Sequence, residues 1–411
     1  MNWLKGLLHC RIRDENPSWG IRPLSAAIVL VASILATFVL ASPAMVYGGQ
    51  QVGTPFLYIA DSNHSETSSQ ILVVDPQRKV ITKTYPAGFH PDIVLSPDGR
   101  RLYVVYDRLI SDSQEVTRLD VINVSSDSVL ATVEAPTRWQ PIGDLYQSQL
   151  AISRNGRWLY MYTLKQSNTG PVTYGVAIFD TVSLKFLTDK ISLPRCDTAL
   201  LSASEVDTSL AVLCYGTADV RTVHIDQNGV PDTHIPDGVA IGVPKGQRPD
   251  PALLLPSKDN RQATVVMRDG AFSLVDLSNR RVLRRGSMET PAEFASQVSG
   301  GVRTTYTAGN LFLGLQPIHR YRGMVLLGLS TNDGSRGFNE LILVDEETLK
   351  IKADRKVTLR FSALTVGPEI YAIDPFGSTL YILDPLSLTQ LGQMEGVGKS
   401  PTIIISSGEA K

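Results

Sequence analysis

A chain of 411 residues, 43% hydrophobic and only 19% charged, has the composition of a folded globular protein with a large core, which excludes a disordered chain. Its formal net charge of −1 comes without a clustered run of Lys and Arg, which argues against a nucleic-acid binder. The six histidines, His9, His64, His90, His224, His234 and His319, are scattered without the short spacing of metal ligands and give no support for a metal site.

The first predicted element is an export signal. Lys5, Arg11, Arg13 and Arg22 precede the apolar run AAIVLVASILATFVLA (26–41), and Ser42-Pro43-Ala44 then offers the small residues that signal peptidase prefers. Residues 1–44 are therefore expected to form a signal helix cleaved after Ala44, with 45–54 as a short linker. The alternative is an uncleaved membrane anchor facing the periplasm, although about sixteen apolar residues fall short of the roughly 20 needed to span a bilayer. Either way the remainder is expected in the periplasm or another exported space, touching membrane only through an uncleaved N-terminus. Cys10 leaves with the leader, so Cys196 and Cys214 remain as an even pair in an oxidising compartment and are expected to form a disulfide. A redox-active pair is the less favoured reading, because the close C-x-x-C spacing is absent.

Beyond the linker the helical period disappears, and short β-branched and aromatic runs recur between turn signals. LYIAD (57–61), LYVVYD (102–107), LYMYT (159–163) and IYAID (370–374) are one repeated strand. ILVVDPQRKVI (71–81), LDVINVSSDSVL (119–130), VAIFDTVSLKFL (176–187), FSLVDLSNRRVL (272–283), LILVDEETLKI (341–351) and LYILDPLSLTQL (380–391) are one repeated hairpin, its Asp or Asn placed to bond the backbone of a tight turn. Pro97-Asp98-Gly99 supplies the reversal of the intervening strand pair. Four strands recurring every few tens of residues predict an all-β fold, a seven-bladed β-propeller over 55–411. The inner strands are expected near 92–96, 148–153, 198–203, 250–255, 307–315 and 361–366. The seventh blade is shared between the chain ends, with 401–406 as its inner strand and 56–85 as its three outer ones, a closure that removes exposed edges.

Chemistry is sparse by comparison. The nucleophile elbow, the P-loop, the Rossmann glycines, His-Glu-x-x-His and Asp-rich calcium loops are absent, so no self-contained catalytic site is expected. The segments 226–249 and 289–306 depart from the repeat, as insertions do when they carry function on one face. Gly88-Phe89-His90-Pro91 connects the outer strand of the first blade to the inner strand of the second, which brings it toward the axial mouth. Two readings stand: Phe89 packs between blades with His90 as an exposed linker, or both line a site in the mouth, where propellers commonly hold ligands.

The seven-bladed pattern, the stretch GFHPDIVLSPDG (88–99), the segments LDVINVSSDSVLATVEAP (119–136) and YGVAIFDTVSLKFL (174–187), the Cys196 and Cys214 pair, and the ending GVGKSPTIIISSGEAK (396–411) resemble the heavy subunit of periplasmic amine dehydrogenases of the methylamine dehydrogenase type. Propellers of the YVTN type share the hairpin pattern. The resemblance implies a noncatalytic subunit, assembled with a small cysteine-rich light chain that carries tryptophan tryptophylquinone, oxidises a primary amine and passes electrons to a copper protein. It also implies that Phe89, held between Gly88 and Pro91, lines the substrate channel together with His90, which replaces an apolar residue usual there. This chain is expected to hold no cofactor of its own, since only Trp139 and Trp158 follow the leader and the light chain's cysteine framework is missing. It departs from the family in Gly300-Gly301-Val302, where a Gly-Gly-Trp segment is usual, and in its short N-terminal arm. The alternative function is a stand-alone exported propeller that binds a protein or small ligand without catalysis.

Overall fold

The computed structural model describes residues 55–408 apart from 63–68, 112–113, 137–139, 142–147, 166–170, 205–207, 227, 232–237, 242–250, 268–270, 289–319, 331–338, 358–362 and 375–377. The leader 1–44, the linker 45–54 and the strand expected at 307–315 lie outside these residues, as do 289–306, 409–411 and most of 226–249.

Among the described residues every regular element is a strand, and the strands form seven antiparallel sheets, one per blade. Blade 2 shows the plan, running in order through Phe89–Leu95, Arg101–Ser111, Gln114–Asn123 and Ser128–Glu134. The inner strands of blades 3, 4, 5 and 7 are Leu150–Ile152, Ala199–Ala203, Pro251–Pro256 and Ala363–Val366; three lie within the segments the repeat singles out, and that of blade 5 runs one residue past its segment. In blade 6 the first described strand is Arg320–Tyr321. Blade 3 carries an extra short strand, Gln140–Pro141, beside Leu150–Ile152 on the same partner.

The ring closes through both chain ends. Pro401–Ser406 pairs antiparallel with Leu57–Asp61, placing Ile404 opposite Ile59 and Ser406 opposite Leu57. Seven clusters of buried side chains hold the blades, each shared by two neighbours: blades 1 and 2, 2 and 3, and so on round to 7 and 1. Strands buried on both faces explain the near-continuous apolar runs such as Tyr58-Ile59-Ala60 and Ile403-Ile404-Ile405.

The six repeated hairpins share one mechanism. The carboxylate or amide oxygen of Asp75, Asn123, Asp180, Asp276, Asp345 or Asp384 accepts a backbone N–H two or three residues on, at 2.7–3.0 Å. The residue four beyond each, namely Lys79, Asp127, Leu184, Arg280, Leu349 or Leu388, is left-handed with φ of 54–58°, and a register shift follows in every blade that uses the turn. Leu349 and Leu388 accept that backbone because their side chains are buried in the cores between blades 5 and 6 and between blades 6 and 7.

A second motif turns inner strands into their neighbours. Ser96, Ser153 and Ser257 each donate their hydroxyl to Asp98, Asn155 or Asp259 at 2.6–2.7 Å and accept a backbone N–H from the returning strand at 2.9–3.0 Å. Gly99, Gly156 and Asn260 take the left-handed position, with φ of 67°, 70° and 52°. Among the described residues this motif is not seen in blade 4, where Cys196 and Cys214 form a disulfide across a separation of 18 residues, both sulfurs enclosed in the core between blades 3 and 4. A loop of that length gives roughly 3 kcal/mol of chain-entropy stabilisation. Cys196→Ser with Cys214→Ser is expected to lower stability by about that amount, measured as the shift in denaturant midpoint between the variant and the oxidised wild type.

The meander sorts its connections between two ends. The first-to-second and third-to-fourth turns, where both tight motifs sit, leave at one end of each sheet. The second-to-third turns and the passages to the next inner strand leave at the other. Of the two segments that depart from the repeat, 289–306 belongs to a passage between blades, whereas 226–249 spans both the third-to-fourth connection of blade 4 and its passage to blade 5.

Candidate functional site

At the end where each blade passes to the next, the chain enters blade 2 through Gly88, Phe89 and His90. A Cβ on residue 88 would stand 2.1 Å from the carbonyl oxygen of Asp107, so only glycine permits the approach. Phe89 lies opposite Asp107; a bulge follows, and pairing resumes with Asp92 opposite Val105. His90 sits in the bulge with φ of 46°, directly before Pro91, a position most residues avoid. Phe89 is half-buried and outside the clusters that join blade 2 to its neighbours, while His90 is exposed; their rings lie 6.3 Å apart and tilted by 47°.

Beside them the structure gathers acids that sequence patterns did not mark as a site. Asp61 ends the strand next to the closing strand and is fully engaged. One oxygen accepts the N–H groups of Lys399 and Ser400 at 2.8 and 2.6 Å, and the other accepts the Gln70 amide at 2.9 Å. Gly398 makes room for it, since a Cβ there would stand 2.8 Å from the carboxyl carbon, at φ of 83°. Asp107 accepts the Thr117 hydroxyl at 2.5 Å, yet burial pushes its pKa up to about 6.

Asp92 opens the inner strand of blade 2 on the side facing blade 3. Its Oδ2 accepts the backbone N–H of Gln149, the residue before blade 3's inner strand, at 2.8 Å. Its Oδ1 has no hydrogen-bond partner, and neither has Oε1 of Gln149, although Asp92 is only 8% and Gln149 only 4% exposed. Burial is the dominant influence on this carboxyl and raises its pKa to about 7, against the opposing bonds from Ser148 and Gln149. Among the described residues no cation acts on Asp92 or Asp107.

Among the described residues no three His, Cys, Asp or Glu side chains converge as metal ligands. Trp158 is a scaffold residue, 1% exposed between blades 3 and 4, with the Arg157 guanidinium 4.4 Å above its ring; Trp139 lies outside the described residues. The described residues here offer carboxylate acceptors and a half-buried aromatic ring. Acids at the head of apolar strands, as in HPDIVL, were the signal sequence reading could have used for Asp92.

No family model matches the chain, and no curated protein does. Solved structures do match. A putative 6-phosphogluconolactonase from Bacteroides fragilis is 11% identical, with a TM-score of 0.54 over 87% of this chain and 99% of that one. The Cps50 (Swd1) β-propeller domain of Myceliophteria thermophila is 13% identical, with a TM-score of 0.53 over 79% of this chain and 92% of that one. The dihydro-heme d1 dehydrogenase NirN is 13% identical with a TM-score of 0.50, and this chain spans 84% of itself but 64% of that protein. The likeness is one of fold.

Proposed function

We propose that this protein is an exported, noncatalytic propeller that serves as the heavy subunit of a quinoprotein amine dehydrogenase, holding a small light chain at its acidic face and admitting the amine past Phe89 and His90. The observation that supports this reading is the bulged entry strand itself. It sets a half-buried aromatic and an exposed imidazole beside one buried and one partly buried carboxyl, on which no cation among the described residues acts, a lining suited to an ammonium group. The disulfide agrees with an oxidising compartment. The redox chemistry then belongs to tryptophan tryptophylquinone in the light chain, which hands electrons to a copper protein. Purification of the native protein from the exported fraction is expected to yield a cysteine-rich small chain with quinone absorbance. A lone propeller without chromophore would overturn the proposal in favour of a stand-alone binding protein.

A further inference from the structure

We propose that Asp92 and Gln149 form a proton-operated latch between the inner strands of blades 2 and 3, closed when the Asp92 carboxyl is neutral and parted when it is ionised.

The argument starts from an accounting of acceptors. Asp92 Oδ1 and Gln149 Oε1 are both enclosed, both without a donor, and carried by residues already tied together through Asp92 Oδ2 and the Gln149 N–H at 2.8 Å. Two enclosed acceptors on linked residues are costly, and the latch we infer answers both with a single proton, a neutral Asp92 donating from Oδ1 to Oε1 of Gln149. The ionised form has no proton to give, and among the described residues no cation acts on its charge.

Among the described residues, the titratable and charged groups on the strands packed around this seam are few. The neighbouring inner strands Pro401–Ser406 and Leu150–Ile152 carry no ionisable side chain. On the paired strand Arg101–Ser111 lie Arg101, Tyr103, Tyr106, Asp107 and Arg108; Tyr58 and Asp61 lie on Leu57–Asp61, and His90 precedes Asp92 on its own strand. Arg101 is committed to the Thr181 carbonyl at 2.6 Å, Tyr106 to Asp120 at 3.0 Å, and Asp107 to Thr117. Burial and hydrogen bonds alone set Asp92, and they place its midpoint at about 7. Above that midpoint the charge demands water, and the enclosed position admits it only if the two inner strands part, next to Phe89 and His90. The inference stands whether or not a light chain exists.

An acid whose pKa is higher in the fold than in the unfolded chain adds stability below its unfolded value and loses it as pH rises through its folded value. The full chain is therefore expected to melt at progressively lower temperature as pH rises through about 7. Asp92→Asn, whose amide can donate permanently to Gln149, is expected to lack that step, and Gln149→Met to move it to lower pH. Hydrogen exchange of Leu150–Ile152, corrected for its intrinsic pH dependence, should rise across the same interval in wild type and not in Asp92→Asn. Melting curves of wild type and Asp92→Asn that run parallel, or a Gln149→Met step unmoved from wild type, would overturn the latch. The Gln149→Met result decides the question if Asp92→Asn does not fold.

Discussion

Truncation before Pro401 is expected to abolish cooperative folding of the propeller. The strand Pro401–Ser406 is buried along its whole length and supplies the inner layer of blade 1. Its isoleucines divide between two seams, Ile404 toward blade 7 and Ile403 and Ile405 toward blade 2. At about 1.5–3 kcal/mol for each buried isoleucine, their loss removes about 5–9 kcal/mol from a total that is typically about 5–15 kcal/mol. The truncated chain also exposes the apolar edge Leu57–Asp61, so aggregation is expected along with loss of the melting transition by circular dichroism. A peptide spanning 401–411, added in trans, is expected to restore part of the transition by pairing with that edge. A truncated protein that melts like the wild type would refute closure of the ring by the chain ends.

Trp158→Ala is expected to cost about 3–5 kcal/mol, read as a lowered denaturant midpoint at constant slope. The indole fills a space that nothing nearby can collapse into. Above it lies Arg157, and against it turns Gly229, whose absent Cβ would stand 2.8 Å from the ring. The same buried cluster holds Tyr162, whose hydroxyl donates to the Cys196 carbonyl, and the disulfide, with Leu187 packed against it. Trp158→Phe is expected to lose far less than the alanine variant, because the indole Nε1 is buried without a hydrogen-bond partner and phenylalanine dispenses with that donor. Equal losses for the two variants would show that the N–H is satisfied by water and that its removal relieves nothing.

The scaffold was legible because its instructions are local and repeated. Asp75 and its five counterparts specify a turn through bonds spanning two or three residues, and Ser96, Ser153 and Ser257 do the same at the other kind of reversal. Pairing of 401–406 with 57–61 could be read because a propeller with one strand missing must borrow it from the far end. The site was less legible because its geometry is assembled across blades. Phe89 and His90 were visible as a motif, but nothing in the neighbourhood of Asp92 announces that Gln149, on another sheet, will donate its N–H and leave a second acceptor bare. Burial, which sets the acidity of Asp92 and Asp107, is a property of the closed ring and not of any window of sequence.

The gathering of the two turn motifs at one rim has a practical corollary for engineering. Because every self-bonded reversal that dictates folding sits at one rim, the opposite rim can be lengthened, shortened or exchanged with little disturbance to the instructions that assemble the wheel. New recognition loops could be grafted there as interchangeable fittings on a fixed hub.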